Sequence, residues 1–289
     1  MAWPLVVAGT CHLDHVSTPR GSRTAQLGGS AVYFALAAAH HVAVRLLSVV
    51  GRDAVTALRG VLAAAPIDLS GLEVSPLPTY RWTVRHDFES GLAVDSQTAI
   101  QHSADQDWTP HLDPAAAAAP VLFAASLSAQ LQLRVLRQSR ALLVGADTMT
   151  SHIAADPRAV EAVMEAADIL FVNHHELEAL APAGAGWRDA ARSLCGRGRL
   201  RAVVVKRGPR GAACVTAGTA VEMRPQPAAV PVDPTGAGDA LAGGFLGACA
   251  AAERDDQAFF AEALEAGMHR AALAISSFGT DALRRGLGR

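Results

Sequence analysis

Short aliphatic runs alternate with helix-prone segments along most of this 289-residue chain, and that alternation restricts the fold more than any other feature. Residues 5–8 and 44–50 are apolar runs suited to buried strands, with the alanine-rich stretch 30–41 between them as a helix. A β-α-β unit follows. Further strands are expected at 121–124, 141–146, 169–173 and 202–206, with intervening helices such as 157–167, where Asp156 caps and Pro157 fills the first turn. Strands buried on both faces and joined through helices pair in parallel, so a mostly parallel sheet sandwiched by helices is expected.

At 51% hydrophobic content, the chain 1–289 can bury one large core and is expected to form one major domain. The formal net charge is −2 and no long basic run occurs, which argues against a nucleic-acid or anionic-membrane partner and for a small molecule. Cys11, Cys195, Cys214 and Cys249 are scattered without a C-x-x-C pair, and residues 1–4 do not read as a signal peptide; a reducing cytoplasm is expected. No uninterrupted apolar stretch reaches 18 residues, so a soluble protein without a membrane span is expected. Asp113-Pro114, five alanines and Pro120 form a low-complexity connector or helix, and 182–186 is a loop.

The chemistry concentrates at Asp233-Pro234-Thr235-Gly236-Ala237-Gly238-Asp239, which precedes the apolar run 240–246. A glycine-rich turn opening into a helix aims backbone N–H groups and the helix dipole at one small volume, which suits an anion. Asp239 arrives there with the anion site and can take a proton from an attacking hydroxyl, a combination that suggests phosphoryl transfer to an alcohol. A dinucleotide fingerprint would need Gly or Ala where Leu241 stands, and no Walker string G-x-x-x-x-G-K-S/T occurs. Taken alone, the stretch also fits an ordinary turn with Asp239 as a helix cap.

Five segments in order carry a family resemblance. They are Gly9-x-x-x-x-Asp14, Gly28-Gly29-Ser30-Ala31, Asn173-x-x-Glu176, the run Val203-Val204-Val205-Lys206-Arg207-Gly208-x-x-Gly211-Ala212, and the 233–239 stretch. Together they resemble the ribokinase-like (PfkB) carbohydrate and nucleoside kinases over nearly the whole chain. Two positions depart from the family pattern: Tyr33 stands where an asparagine is usual, and Val42 where a small residue is usual. Both fall in the half that carries the acceptor pocket in that family.

The resemblance implies a three-layer α/β/α sandwich with a mostly parallel central sheet and a small β-sheet lid from about 10–28 and 79–102. Residues 79–101 independently read as a hairpin turning at Glu89-Ser90-Gly91, with Trp82 and Phe88 as lid candidates in a chain that is 5% aromatic. The implied reaction moves the γ-phosphoryl group of Mg-ATP to a primary hydroxyl of a sugar or sugar derivative, with a nucleoside as the alternative acceptor and a weakly catalytic binding protein as a third reading. Asp239 would be the base, and Gly236, Ala237 and Gly238 the amide donors to the transferring group. Thr235, Asn173, Lys206, Gly208 and Gly211 would serve ATP, although Lys206 also fits an ordinary strand-end lysine. Asp14, Gly28, Gly29 and Trp82 would meet the acceptor, Asp14 binding two hydroxyls with its two oxygens. Asn173 and Glu176 would hold Mg2+ through water, and His175-Glu176 lacks the second histidine of a zinc hydrolase motif. Asp233 either orders the loop or places backbone around a K+ ion. His12, Arg81 and Asp147 are further polar candidates near strand ends, and a homodimer through the β lid completes the implied picture.

Overall fold

The computed structural model describes residues 4–88, 93–98, 102–182, 184–225, 230–285 and 287. In chain order its strands are β1 (Leu5–Ala8), β2 (His12–Thr18), β3 (Gly21–Gly28), β4 (Val44–Gly51), β5 (Ile67–Ser75), β6 (Arg81–His86), β7 (Ala93–Thr98), β8 (Val121–Ala124), β9 (Leu143–Asp147), β10 (Ile169–Asn173), β11 (Ala202–Lys206), β12 (Ala212–Thr216) and β13 (Ala220–Met223). Nine of them form one sheet in the order β13-β12-β11-β10-β9-β8-β1-β4-β5. The pairs from β11 through β5 are parallel, and only β12 and β13 are antiparallel additions. Four strands form a second sheet, β3-β2-β6-β7.

Alternation along the strands builds the two halves of the core. Leu5, Val7, Phe123, Ile169 and Phe171 face the helices Ser30–Ala38, Ala237–Ala252 and Phe260–Ala274, while Val6, Leu122, Leu170 and Val172 face the opposite layer. Aromatic rings run through the first half: Phe34 stacks on Phe123 at 4.3 Å, and Phe123, Phe171 and Phe245 follow edge-on at 5.7 and 5.6 Å. Helix Pro157–Ala166 begins as the sequence requires, with Asp156 accepting from the Ala159 amide at 3.1 Å.

Several elements differ from the sequence expectation. The strand expected at 141–146 starts at Leu143, because the amides of Leu142 and Leu143 both turn onto the Pro120 carbonyl. The helix expected at 30–41 ends at Ala38. The edge strand β5 and the β12–β13 hairpin went unseen: Asp68, Ser70 and Glu73 interrupt any aliphatic run in β5, which needs apolar residues on one face only.

The second sheet forms where the lid is expected. Strand β6 pairs in parallel with β2, setting Trp82 opposite Asp14, and β6 with β7 makes the antiparallel hairpin; its turn at Glu89–Gly91 lies outside the described residues. Asp53 fixes the entry to β6, accepting from the Thr79 amide and hydroxyl at 3.0 and 2.7 Å and pairing with Arg81 at 2.8 Å. Arg81 is thereby a brace rather than a free site residue.

Candidate active site

Parallel strands bring their carboxyl ends to one edge, and three site candidates sit at those ends. Asp147 ends β9, Asn173 ends β10 and Lys206 ends β11, with Asn173 and Lys206 in register. The chain reverses its order around β1, flanked by β4 and β8, which is where open α/β sheets leave a crevice. Helix Ala237–Ala252 points its N-terminus at the same edge.

Gly236 caps that helix with φ 74°, a left-handed conformation, and a β-carbon there would lie in the Tyr33 ring. The Ala237 amide donates to the Pro234 carbonyl at 3.2 Å and closes the turn. Of the three small residues named from sequence, Ala237 is thus spent on the turn's own geometry. Asp239 stands in the first helical turn; burial raises its carboxyl to about 6 against the opposing pull of Lys206.

Around Lys206 the charges are mutual. Burial works against its ammonium, yet Glu176, Asp147 and Asp239 together hold it above its ordinary value. Burial likewise raises Asp147 well above a normal carboxylate and raises Glu176, with Lys206 opposing both. Asn173 and Glu176 form a capping box: the Asn173 oxygen accepts from the amides of His175 and Glu176 at 2.9 and 3.0 Å, and Glu176 accepts from the Asn173 amide and side chain at 2.7 Å each. These are hard oxygen donors already in local bonds, which suits contact with a hydrated divalent cation through its waters.

A cavity of about 480 Å³ opens beside this cluster. Asn173, Lys206, Gly208, Gly211 and Gly238 line its polar side, and Leu241, Met268 and Ile275 its apolar side. Phe88, expected over the acceptor, lines this cavity instead.

The acceptor candidates converge on the other side of the 233–239 stretch. Asp14 is 1% exposed, and among the described residues neither of its oxygens receives a hydrogen bond; the imidazole Nδ1 of His12 stands 3.7 Å away. Burial and then Asp233 push the Asp14 carboxyl up to about 8, while burial lowers His12 to about 4, so the pair is neutral rather than ionic. Gly28 faces Asp14 so closely that a β-carbon would collide with its Oδ2, and Gly29 takes φ 99° against the Thr10 carbonyl. Trp82, half-buried, shares one face of β6 with buried Val84 and His86.

Asp233 is occupied by protein donors: the Thr235 amide at 2.9 Å on one oxygen, and Gln26 Nε2 at 3.1 Å and the Gly279 amide at 3.3 Å on the other. Its carboxylate therefore orders the loop. Sequence reasoning missed Gln26 and His86, whose Nε2 lies 3.1 Å from the Thr235 hydroxyl. Only the strand alternation that puts His86 on the Trp82 face hinted at it.

A phosphoryl-transfer site on a mostly parallel sheet with a β lid defines a small-molecule kinase. The profile of the pfkB family carbohydrate kinases matches residues 7–284, and the chain belongs to that family. It is 28% identical over 253 residues to a cytidine kinase of Thermococcus kodakarensis, covering 84% of this chain and 87% of that one. Among solved structures it resembles the nucleoside kinase of Methanocaldococcus jannaschii (TM-score 0.76, 20% identity, 98% of this chain and 99% of that one). It also resembles an E. coli protein described as a ribokinase II, in complex with ATP and Mg2+ (TM-score 0.78, 21% identity, 96% and 94%).

Proposed function

We propose that this kinase transfers the γ-phosphoryl group of Mg-ATP to a primary hydroxyl on a ribose-like unit, and that its single domain carries both substrates. The observation that carries this reading is Asp14, a buried carboxyl that receives no hydrogen bond among the described residues, placed across the anion-binding turn from the cavity that Lys206 and Gly238 line. Sequence reasoning slightly favoured a sugar or sugar derivative over a nucleoside. The likeness to a cytidine kinase and a nucleoside kinase shifts our preference to a nucleoside, with a free sugar as the second reading, supported by the carbohydrate-kinase profile.

In the proposed reaction ATP lies in the 480 Å³ cavity, its base against Leu241 and Met268 and its phosphates toward Lys206 and the glycines at 208 and 211. The Asn173–Glu176 oxygens would hold hydrated Mg2+, which supplies charge neutralisation on the phosphates. Asp14 accepts hydrogen bonds from acceptor hydroxyls and Trp82 walls the acceptor, while Gly28 and Gly29 allow its close approach. Asp239, largely ionised at neutral pH, takes the proton of the attacking hydroxyl as the new oxygen–phosphorus bond forms and the β,γ-bridge bond breaks to release ADP. Gly236 and Gly238 amides and Lys206 hold the transferring oxygens.

Because protein donors fill the Asp233 carboxylate, any K+ near this loop would be held by backbone carbonyls. Residues 21–25 of the lid are exposed, which keeps a homodimer through this sheet within the proposal. The four cysteines are free, in keeping with a reducing compartment such as the cytoplasm, and among the described residues no helix is long and apolar enough to cross a membrane.

The test is ADP release with Mg-ATP against ribose, fructose, inositols, adenosine, inosine and cytidine. Turnover of a nucleoside is expected, with Asp239→Asn lowering kcat by roughly 10²-fold while ATP still binds. No turnover on any of these acceptors defeats the assignment, and near-normal kcat in a folded Asp239→Asn removes Asp239 from its role.

A further inference from the structure

The anion-binding loop is held by side chains from the lid. Thr18 on β2 donates to the Val232 carbonyl at 2.9 Å, Gln26 on β3 donates to Asp233 Oδ2 at 3.1 Å, and His86 on β6 meets the Thr235 hydroxyl at 3.1 Å. Three strands of the small sheet thus reach three of the four residues 232–235, across sequence separations of 214, 207 and 149. The loop has few bonds of its own. Pro231 and Pro234 lack an N–H, and among the described residues its amide links to the large sheet's helices are those of Val232 and Asp233 to the Ile275 carbonyl, at 2.7 and 3.3 Å. Thr235 and His86 are both buried, each 8% exposed.

We propose that His86 is a positioning residue for phosphoryl transfer, fixing Thr235 from the acceptor side so that the anion-binding turn takes its working shape only while the lid is seated. This rests on the function proposed above. Thr235 immediately precedes Gly236, whose left-handed cap sets the direction of the Gly238 amide and of Asp239. His86 closes the face of β6 that carries Trp82, and the next two residues, Asp87 and Phe88, line the nucleotide cavity. One strand therefore touches the acceptor wall, the anion-binding turn and the nucleotide cleft in succession. A displaced lid would release all three ties together and leave the turn without the donor alignment that transfer requires. With the ties intact, an acceptor that seats the lid also sets the turn, so the γ-phosphoryl group goes to the acceptor hydroxyl. With them broken, water attacks in its place, its oxygen bonding to phosphorus as the β,γ-bridge breaks to give ADP and inorganic phosphate.

The experiment compares wild type, His86→Leu, which removes the polar contact, and His86→Gln, whose amide can take the place of Nε2. Phosphorylated acceptor, inorganic phosphate and hydrogen exchange at the amides of 235–239 are measured on each. His86→Leu is expected to lower kcat for transfer by about tenfold or more with little change in acceptor KM. It should also raise phosphate release relative to transfer several-fold and speed exchange at 235–239, with His86→Gln recovering most of each. A packing residue alone would lower the melting temperature and leave kcat per folded molecule and the hydrolysis-to-transfer ratio at wild-type values, and that result overturns the proposal. If His86→Leu does not fold, Gln26→Leu, which cuts the lid's tie to Asp233 and leaves its Oδ2 with the Gly279 amide alone, must raise the same ratio and exchange, and unchanged values overturn the proposal equally. Absence of wild-type turnover on every acceptor would defeat the proposed function, whereas the exchange comparison decides the tie with no turnover needed.

Discussion

Asp14 concentrates the conflict between stability and function in one side chain. Its carboxyl sits at about 8 in the fold against an ordinary value of 3.8, so folding disfavours its ionised form. A raised carboxylate contributes stability that is fully present below the unfolded value and lost as pH rises through the folded one, here between about 4 and about 8. The histidines lowered by burial, His12 among them, act in the opposite sense below their ordinary 6.5, which leaves the interval from about 6.5 to 8 as the window in which Asp14 contributes, together with the raised Asp147, and the Asp14→Asn difference isolates its share. Asp14→Asn is expected to flatten the decline of apo stability across that window, to raise stability at pH 8 by roughly 1–3 kcal/mol, and to abolish measurable acceptor turnover. Denaturant titrations at pH 6.5 and 8 decide the first part; a variant with wild-type slope would mean the carboxyl is solvated in solution. Acceptor hydroxyls favour the ionised form, so acceptor affinity should rise with pH until Asp14 has titrated, a trend readable by calorimetry.

At the scale of elements, the segment from Asp113 to Pro120 shows what a low-complexity stretch can hide. Asp113 caps helix Pro114–Ala117 through the Ala116 amide at 2.8 Å, and its two oxygens grip the buried Arg45 of β4 at 3.0 and 2.6 Å. Asp68 on β5 adds a second carboxylate at 3.3 Å, so one guanidinium joins the edge of the sheet to the layer beneath it. Asp113→Ala removes a cap and half of that neutralisation together and should cost about 2–4 kcal/mol in urea denaturation. A loss under about 0.5 kcal/mol would show that Asp68 satisfies Arg45 by itself. The capping box of Asn173 and Glu176 is the contrasting case, since its partners are three residues apart and were visible as a pair. Glu176→Gln should raise the Mg2+ concentration needed for half-maximal rate and leave acceptor KM little changed; an unchanged Mg2+ dependence would confine Glu176 to its cap.

For the whole molecule, the two sheets meet at the 232–235 loop, and ligands that bind either side should stabilise the fold through it. Mg-ATP or acceptor alone at 100 times its Kd contributes about 2.7 kcal/mol by mass action. With the lid tied to the loop, both together should raise the melting temperature by more than the sum of the two, and His86→Leu should reduce the combined effect to that sum. Simple additivity in wild type would mean that the sheets bind their ligands independently.

The sequence by itself determined the parallel sandwich, the anion-binding turn and the Asn173–Glu176 pair. These are local: they follow from residue periodicity, from a glycine that must be left-handed, and from groups three positions apart whose contact costs almost no chain entropy. It also suggested the hairpin at 79–101, though not that Phe88 would line the nucleotide cavity. Tertiary structure alone decided the rest. An edge strand such as β5 buries one face and needs no aliphatic run, so its place became visible only beside β4. Asp14 acquires its raised carboxyl from burial and from Asp233, more than two hundred residues away, and His86 acquires its partner from the opposite sheet. Burial and charge at a point in space are sums over neighbours that the chain brings together only on folding, and no stretch of sequence contains those neighbours.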